Sequence, residues 1–189
     1  MTFALLVPAA AAAQPTSTDE PTDAAAGWLA GELVDDQYIE VTFDFGDGPQ
    51  TYPDPGLTAD VVLALAGAGV ASDQIGSATG WLEQQVGAYT GTASGEVYVG
   101  SVAKLLLVAE ATDRSTTFGG EDLVDLLEQR EQDSGRYSDD SESGDFSNTI
   151  TQSLALLALE RVDGAGPSNA AVDHLVDQGE FLNEDAAVE

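Results

Sequence analysis

The sequence predicts an all-α protein with one small β-hairpin, its helices arranged in an inner and an outer layer. Two kinds of segment alternate along the chain and carry that prediction. Four of them begin with a bulky residue and Leu, continue with polar residues, and in most cases reach a glycine and an aromatic. They are Trp28-Leu29 leading to Tyr38, Trp81-Leu82 to Gly87 and Tyr89, Leu126-Leu127 to Gly135 and Tyr137, and His174-Leu175 to Gly179 and Phe181. Their spacings of 53, 45 and 48 residues match two-helix repeat units. Between them lie residues 58–70, 101–111 and 149–162, apolar around most of a helical circumference, as in a helix enclosed on several sides. Alternating half-exposed and enclosed helices define two concentric layers. The expected architecture is a partial α/α toroid of about three and a half hairpins.

In chain order, Phe3-Ala-Leu-Leu-Val followed by Pro8 and the alanine run 9–13 reads as a signal-peptide remnant, 1–13, with an Ala-x-Ala cleavage site. No Lys or Arg precedes Lys104, so the basic start of such a peptide is expected upstream of residue 1. This apolar stretch is too short to span a membrane, and no membrane insertion is expected. Residues 14–23 read as a polar linker, 24–181 as the repeat domain and 182–189 as an acidic tail. Location outside the cell or on its surface follows.

Within the domain, residues 38–45 alternate β-branched and aromatic side chains with polar ones, and Gly46-Asp-Gly48 precedes Thr51-Tyr-Pro. This is a β-hairpin near residues 38–53. Residues 121–130 read as an amphipathic outer helix, with Leu123, Leu126 and Leu127 on one face and Asp122, Asp125 and Glu128 on the other. Ser72, Asn148 and Ser168 stand where N-caps belong, and Gly166-Pro167 breaks the last two helices apart.

Charge bounds the partners. Thirty-four Asp and Glu against five Lys and Arg give a formal net charge of −29. Such a surface repels phosphate backbones and anionic lipids, so no nucleic-acid partner is expected. It suits solubility outside the cell or at high salt, a cationic partner, or calcium. In the acidic loop 132–145, Asp133, Asp139, Asp140, Glu142 and Asp145 supply hard oxygens, with Gly135 and Gly144 permitting sharp turns. Their spacing is not that of an EF-hand, which leaves a solvated loop or a calcium site. The connections from outer to inner helices hold Tyr52, Tyr98, Tyr137 and Phe146. Together with Gln152 they form a candidate ligand-binding set at the mouth of the inner layer, suited to a ligand with polar and apolar parts. The same aromatics would also serve to cap the inner helices.

Five stretches extend the repeat reading to a family: Ala25-Ala-Gly-Trp-Leu29, Gly56-Leu-Thr-Ala-Asp60, Tyr98-Val-Gly-Ser-Val-Ala-Lys-Leu-Leu-Leu107, Phe118-Gly-Gly-Glu-Asp-Leu123 and Ser147-Asn-Thr-Ile-Thr-Gln-Ser-Leu-Ala-Leu156. The chain resembles the prenyltransferase/squalene-cyclase-type α/α toroid superfamily. Within it, the likeness is greatest to exported actinobacterial proteins with prenyltransferase/squalene-oxidase repeats. The resemblance implies a ring of about six hairpins, more than this chain supplies. The ring is therefore open, closed by a partner such as a second copy, or cut short in a fragment.

The resemblance also brings chemistry that these residues do not match. Cyclases of the superfamily protonate their substrate with Asp-x-Asp-Asp, to which neither Asp35-Asp36 nor Asp139-Asp140 conforms. Prenyltransferases hold zinc with Cys, His and Asp, whereas this chain has no Cys and one His, so no zinc site is expected. His174 occupies the position of Trp28, Trp81 and Leu126 and reads as a packing residue. The expected function is a non-catalytic exported module binding an unknown ligand or protein partner, with no catalytic residues. The alternatives are a cobalamin-type capture domain and a terpene-cyclase-like enzyme lacking the usual acid.

Overall fold

A computed structural model describes residues 21–46 and 48–186, with side chains described as far as Gln178. The proposed signal-peptide remnant, residues 14–20 of the linker and residues 187–189 of the tail lie outside the described residues. Among those described, seven α-helices carry most of the chain: α1 Pro21–Gly31, α2 Pro55–Ala68, α3 Ser72–Thr90, α4 Val99–Ala111, α5 Leu123–Glu128, α6 Thr149–Arg161 and α7 Asn169–Ala186. A hairpin pairs β1 (Ile39–Asp44) with β2 (Pro49–Asp54), antiparallel, with Val41 opposite Tyr52 and Phe43 opposite Gln50. A two-residue ladder joins β3 (Thr117–Phe118) to β4 (Glu121–Asp122).

The segments read as enclosed become α2, α4 and α6, and α4 packs against both of the others. Helix α6 is not enclosed on every side, since Ile150 and Leu157 stand 73% and 56% exposed. Val99, Val102, Ala103, Leu105, Leu106, Val108 and Ala109 of α4 are all fully buried. Each Leu or Val so enclosed contributes roughly 1.5–3 kcal/mol, which makes α4 the chief anchor of the core. The three helices run parallel. Near one end Lys104 Nζ lies 2.8 Å from Asp60 of α2, and Gly100 faces Thr151 of α6. At the other end Leu63, Leu107 and Arg161 line one groove. Helix α1 packs against α2, α3 touches both α2 and α4, α5 packs against α4, and α7 rests on α6.

Local chemistry sets the helix ends. Asp54 caps α2, its carboxylate accepting the Leu57 N–H at 2.9 Å, and Pro55 takes the first helical position, where a missing N–H costs nothing. Gly69 closes that helix in the left-handed region at φ 69°. Asn148 caps α6 through the Ile150 and Thr151 N–H groups, and Ser168 Oγ accepts the Ala171 N–H at the start of α7.

Several boundaries differ from the sequence reading. Helix α1 starts at Pro21, inside the segment read as linker, and α7 runs to Ala186, inside the segment read as tail. Ser72 is the first residue of α3 rather than its cap; that place is taken by Ala71 with φ 58° and no side-chain bond. The outer helix read at 121–130 shortens to Leu123–Glu128, because Glu121 and Asp122 pair with β3 and Asp122 then caps the helix. Its faces are as expected, Leu123 and Leu127 buried and Asp125 and Glu128 exposed. Trp28 and Trp81, equivalent in the repeat, part company: Trp28 is 62% exposed, whereas Trp81 is 9% exposed and packs against Tyr38 at 5.1 Å between ring centroids.

Candidate functional site

Parallel packing brings the N-terminal ends of α4 and α6 together, and a groove of about 400 Å³ opens there. Tyr89, Tyr98, Ser101, Lys104, Phe146 and Thr151 line it. Each side chain is placed by a distinct local cause. Tyr98 is the residue before α4, in extended conformation, and its N–H donates to Thr90 O at 2.8 Å. Tyr89 ends α3 and reaches across to α2, so that a Cβ at Gly56 would stand 3.2 Å from its phenol oxygen. Burial pushes the Tyr89 phenol pKa up, and the Lys104 ammonium pulls in the opposite direction. Phe146 is 68% exposed and its ring is free for contact.

The acidic loop contributes Asp139 to the lining, and three of its carboxylates, those of Asp139, Asp140 and Asp145, are engaged within the fold. Asp139 Oδ1 accepts the Val99 N–H at 2.8 Å, capping α4 from 40 residues away, and Oδ2 accepts the Phe146 N–H at 3.2 Å. Asp140 pairs with Arg130 at 2.7 Å, and its backbone forms a two-bond bridge with Val97. Asp145 accepts the Asp139 and Ser147 N–H groups and pairs with Arg136 at 2.7 Å. Burial acts to raise the Asp145 pKa, but the bonds from Ser147 and Asp139 and the Arg136 charge outweigh it, and the pKa is lowered. Asp133 and Glu142 are exposed. Among the described residues no three of His, Cys, Asp and Glu converge as a metal site would require.

A carboxylate that sequence reasoning passed over pins this loop. Glu96 accepts from the Tyr98 and Ser94 hydroxyls, the Ser141 hydroxyl at 2.7 Å and the Glu142 N–H at 3.0 Å. These bonds, Tyr98's foremost, hold its pKa at about 2. The hydrogen bond to Glu96 in turn pushes the Tyr98 phenol up. Glu96 carried no motif, and the two loop partners that it pins, Ser141 and Glu142, are 45 and 46 residues away along the chain.

Of the five candidate ligand-binding residues, Tyr98 and Phe146 meet at the groove. Tyr52 lies on the hairpin, bonded to Gln50. Tyr137 is 1% exposed and Gln152 is 3% exposed. Gln152 Oε1 accepts the Tyr137 N–H at 2.9 Å, and Nε2 donates to Gly135 O and Ala171 O at 2.9 and 3.0 Å. All three bonds go to backbone, so the amide locks the acidic loop to α6 and α7. Burial, and then the neighbouring Glu131 carboxylate, push the Tyr137 phenol well up.

A second cavity of about 340 Å³ is lined by Arg136, Asn148, Thr149, Gln152, His174 and Gln178. A third, of about 390 Å³, lies between α1, β1 and α2, with Trp28, Ile39 and Leu57 in its walls. Asp60 lines this third cavity and Lys104 the first groove, so the ion pair between them divides the two. No helix among the described residues is long and apolar enough to cross a membrane.

Compared with known proteins, the chain matches no family model, no curated protein and no solved structure.

Proposed function

We propose that the chain is a non-catalytic exported binding module, built as an arc of an α/α toroid, with the groove between Tyr98 and Phe146 as its site. The parallel course of α2, α4 and α6, with α3 returning from the end of one to the start of the next, supports the arc. Export rests on the residues 1–13 pattern and on the acidic surface.

The observation that carries the binding role is the groove's lining. Two phenols, the Ser101 and Thr151 hydroxyls and one ammonium stand beside the faces of Phe146 and Leu154. That mixture grips a ligand with polar and apolar parts, and the rigid ends of two packed helices hold it ready. Native mass spectrometry of the protein purified from its producing organism tests the reading. A small molecule or second chain should be retained on the wild type and lost from Phe146→Ala. A bare monomer in both samples would overturn it.

A further inference from the structure

The cavity between α1, β1 and α2 has an apolar floor and an acidic rim. Trp28, Leu29, Ile39, Leu57 and Val61 line it, together with the carboxylates of Glu32 and Asp60. Trp28 and Leu57 are 62% and 43% exposed, an unusual state for two large apolar side chains placed side by side. The surface does not stop at the cavity. Ile39, Val41 and Phe43 share one face of β1 because side chains alternate along a strand, and Tyr52 and Gln50 stand opposite the last two. Phe45 stacks on Phe43 at 5.8 Å and prolongs the strip to the hairpin tip. From Ile39 to Phe43 the strand covers roughly 13 Å. A strip of that length added to a cavity exceeds a small molecule and suits a polypeptide segment.

Charge selects the kind of segment. Residues 21–61 contain nine Asp and Glu and no Lys or Arg. Glu32 is exposed and joins no ion pair among those described, whereas Asp60 is paired to Lys104. Two copies of the chain meeting here would bring two segments of the same sign together, Glu32 against Glu32 at the rim, which opposes self-association. A segment carrying Lys or Arg beside apolar side chains would gain from both features at once.

We propose that the face formed by Trp28, Ile39 and Leu57, and continued along β1, docks a cationic amphipathic segment of another protein. It does not depend on the groove at Tyr98 and Phe146, from which the Asp60–Lys104 pair separates it.

The test uses the full chain and three synthetic 18-residue peptides of one pattern: Leu with Lys, Leu with Glu, and Ser with Lys. Titration calorimetry gives the affinities, and tryptophan emission reports the site, since Trp28 is exposed and Trp81 is enclosed. The Leu/Lys peptide should bind at least tenfold more tightly than the other two and shift emission to the blue. Trp28→Ala and Leu57→Ser, both at exposed positions and checked for folding by circular dichroism, should each weaken it at least tenfold. Glu32→Lys should weaken it several-fold, and Phe146→Ala should leave it unchanged. Equal binding of the Ser/Lys peptide would reduce the effect to bulk charge and overturn the proposal. So would an unmoved emission spectrum, loss of binding in Phe146→Ala, or a dimer in sedimentation that Trp28→Ala dissolves.

Discussion

Gln152 Oε1 accepts the backbone N–H of Tyr137 at 2.9 Å, and through this bond a helix holds a loop that precedes it. The same amide's two N–H groups bond Gly135 O and Ala171 O, so one side chain joins the acidic loop, α6 and α7. Replacing it by an apolar residue of similar size strands three backbone groups in the interior. Gln152→Leu should therefore cost about 2–4 kcal/mol, given 1–3 kcal/mol for each unsatisfied buried group and partial relaxation. Urea unfolding would show a lower midpoint at nearly constant slope. A change below about 1 kcal/mol would mean that water replaces the lost bonds.

Gly135 makes that joint close. Its φ is 80°, and a Cβ there would stand 2.0 Å from Ala170 O, a backbone atom with no freedom to yield. Gly144 lies in the same loop at φ 111° with nothing near its Cβ position. Gly135→Ala should cost more than about 3 kcal/mol from strain and overlap together, whereas Gly144→Ala should cost about 1–2 kcal/mol from strain alone. The difference between the two midpoints isolates the contact with α7, because both replacements meet the same kind of backbone penalty.

Much of the helical frame was legible in the sequence because it rests on local patterns. Residues 101–111 are apolar around most of a helical circumference, which suits an enclosed helix. Alternation in 38–45 with glycines at 46 and 48 admits little besides a hairpin. Asn148 and Ser168 act on N–H groups two or three residues away, within reach of local reasoning. The site was less legible because its bonds cross long stretches of chain. Asp139 reads as one of the loop's hard oxygens, and its bond to the Val99 N–H, 40 residues distant, leaves no local signal. Gln152 lines the cavity that holds Arg136 and His174, and its three bonds go to backbone groups that only the folded chain brings near. Trp28 and Trp81 hold matching places in the sequence pattern, yet Trp28 is 62% exposed and Trp81 is 9% exposed. Sequence periodicity does not register which neighbours cover each position.

Asp139 offers a cleaner test of long-range capping. Its carboxylate meets the first N–H of α4 and also the Phe146 N–H. Asp139→Ala should lower stability by about 1–2 kcal/mol, in line with loss of a cap plus one further bond. Asp139→Asn keeps one acceptor oxygen and should recover about half of that. Hydrogen exchange at Val99 and Phe146 should rise in the alanine variant while exchange in α2 stays slow. Uniform acceleration across all helices would contradict a local role.

The clamp at Glu96 has a defined pH dependence. Its pKa is about 2 in the folded chain, below the ordinary 4.5, so the hydrogen-bonded form that steadies the loop is the carboxylate. The contribution is fully present above about pH 4.5 and is lost as pH falls towards 2. Amide resonances of Ser141 and Glu142 should shift with a midpoint near 2 in the wild type. In Glu96→Gln that transition should be absent, and the loop should already be looser at neutral pH. A midpoint near 4.5 would show that the clamp does not form in solution.

Salt should decide whether repulsion or pairing governs the surface. The formal charge is −29, and the ion pairs among the described residues are Lys104–Asp60, Arg114–Glu83, Arg130–Asp140 and Arg136–Asp145. Each pair has a partly exposed partner and is worth at most about 1 kcal/mol, so screening them costs little. Mutual repulsion of unpaired carboxylates acts over a Debye length of about 30 Å at 0.01 M salt and about 10 Å at 0.1 M. Relieving it favours the compact state. The thermal midpoint should rise by several degrees between 0.01 and 0.2 M NaCl and flatten beyond, since for a chain of this size about 1 kcal/mol corresponds to about 2–4 °C. A steady rise extending to molar salt would instead mark salting-out of apolar surface, and a fall would show that the four pairs outweigh the repulsion. The shape of the curve below 0.2 M separates these cases, because only charge screening is largely complete by then.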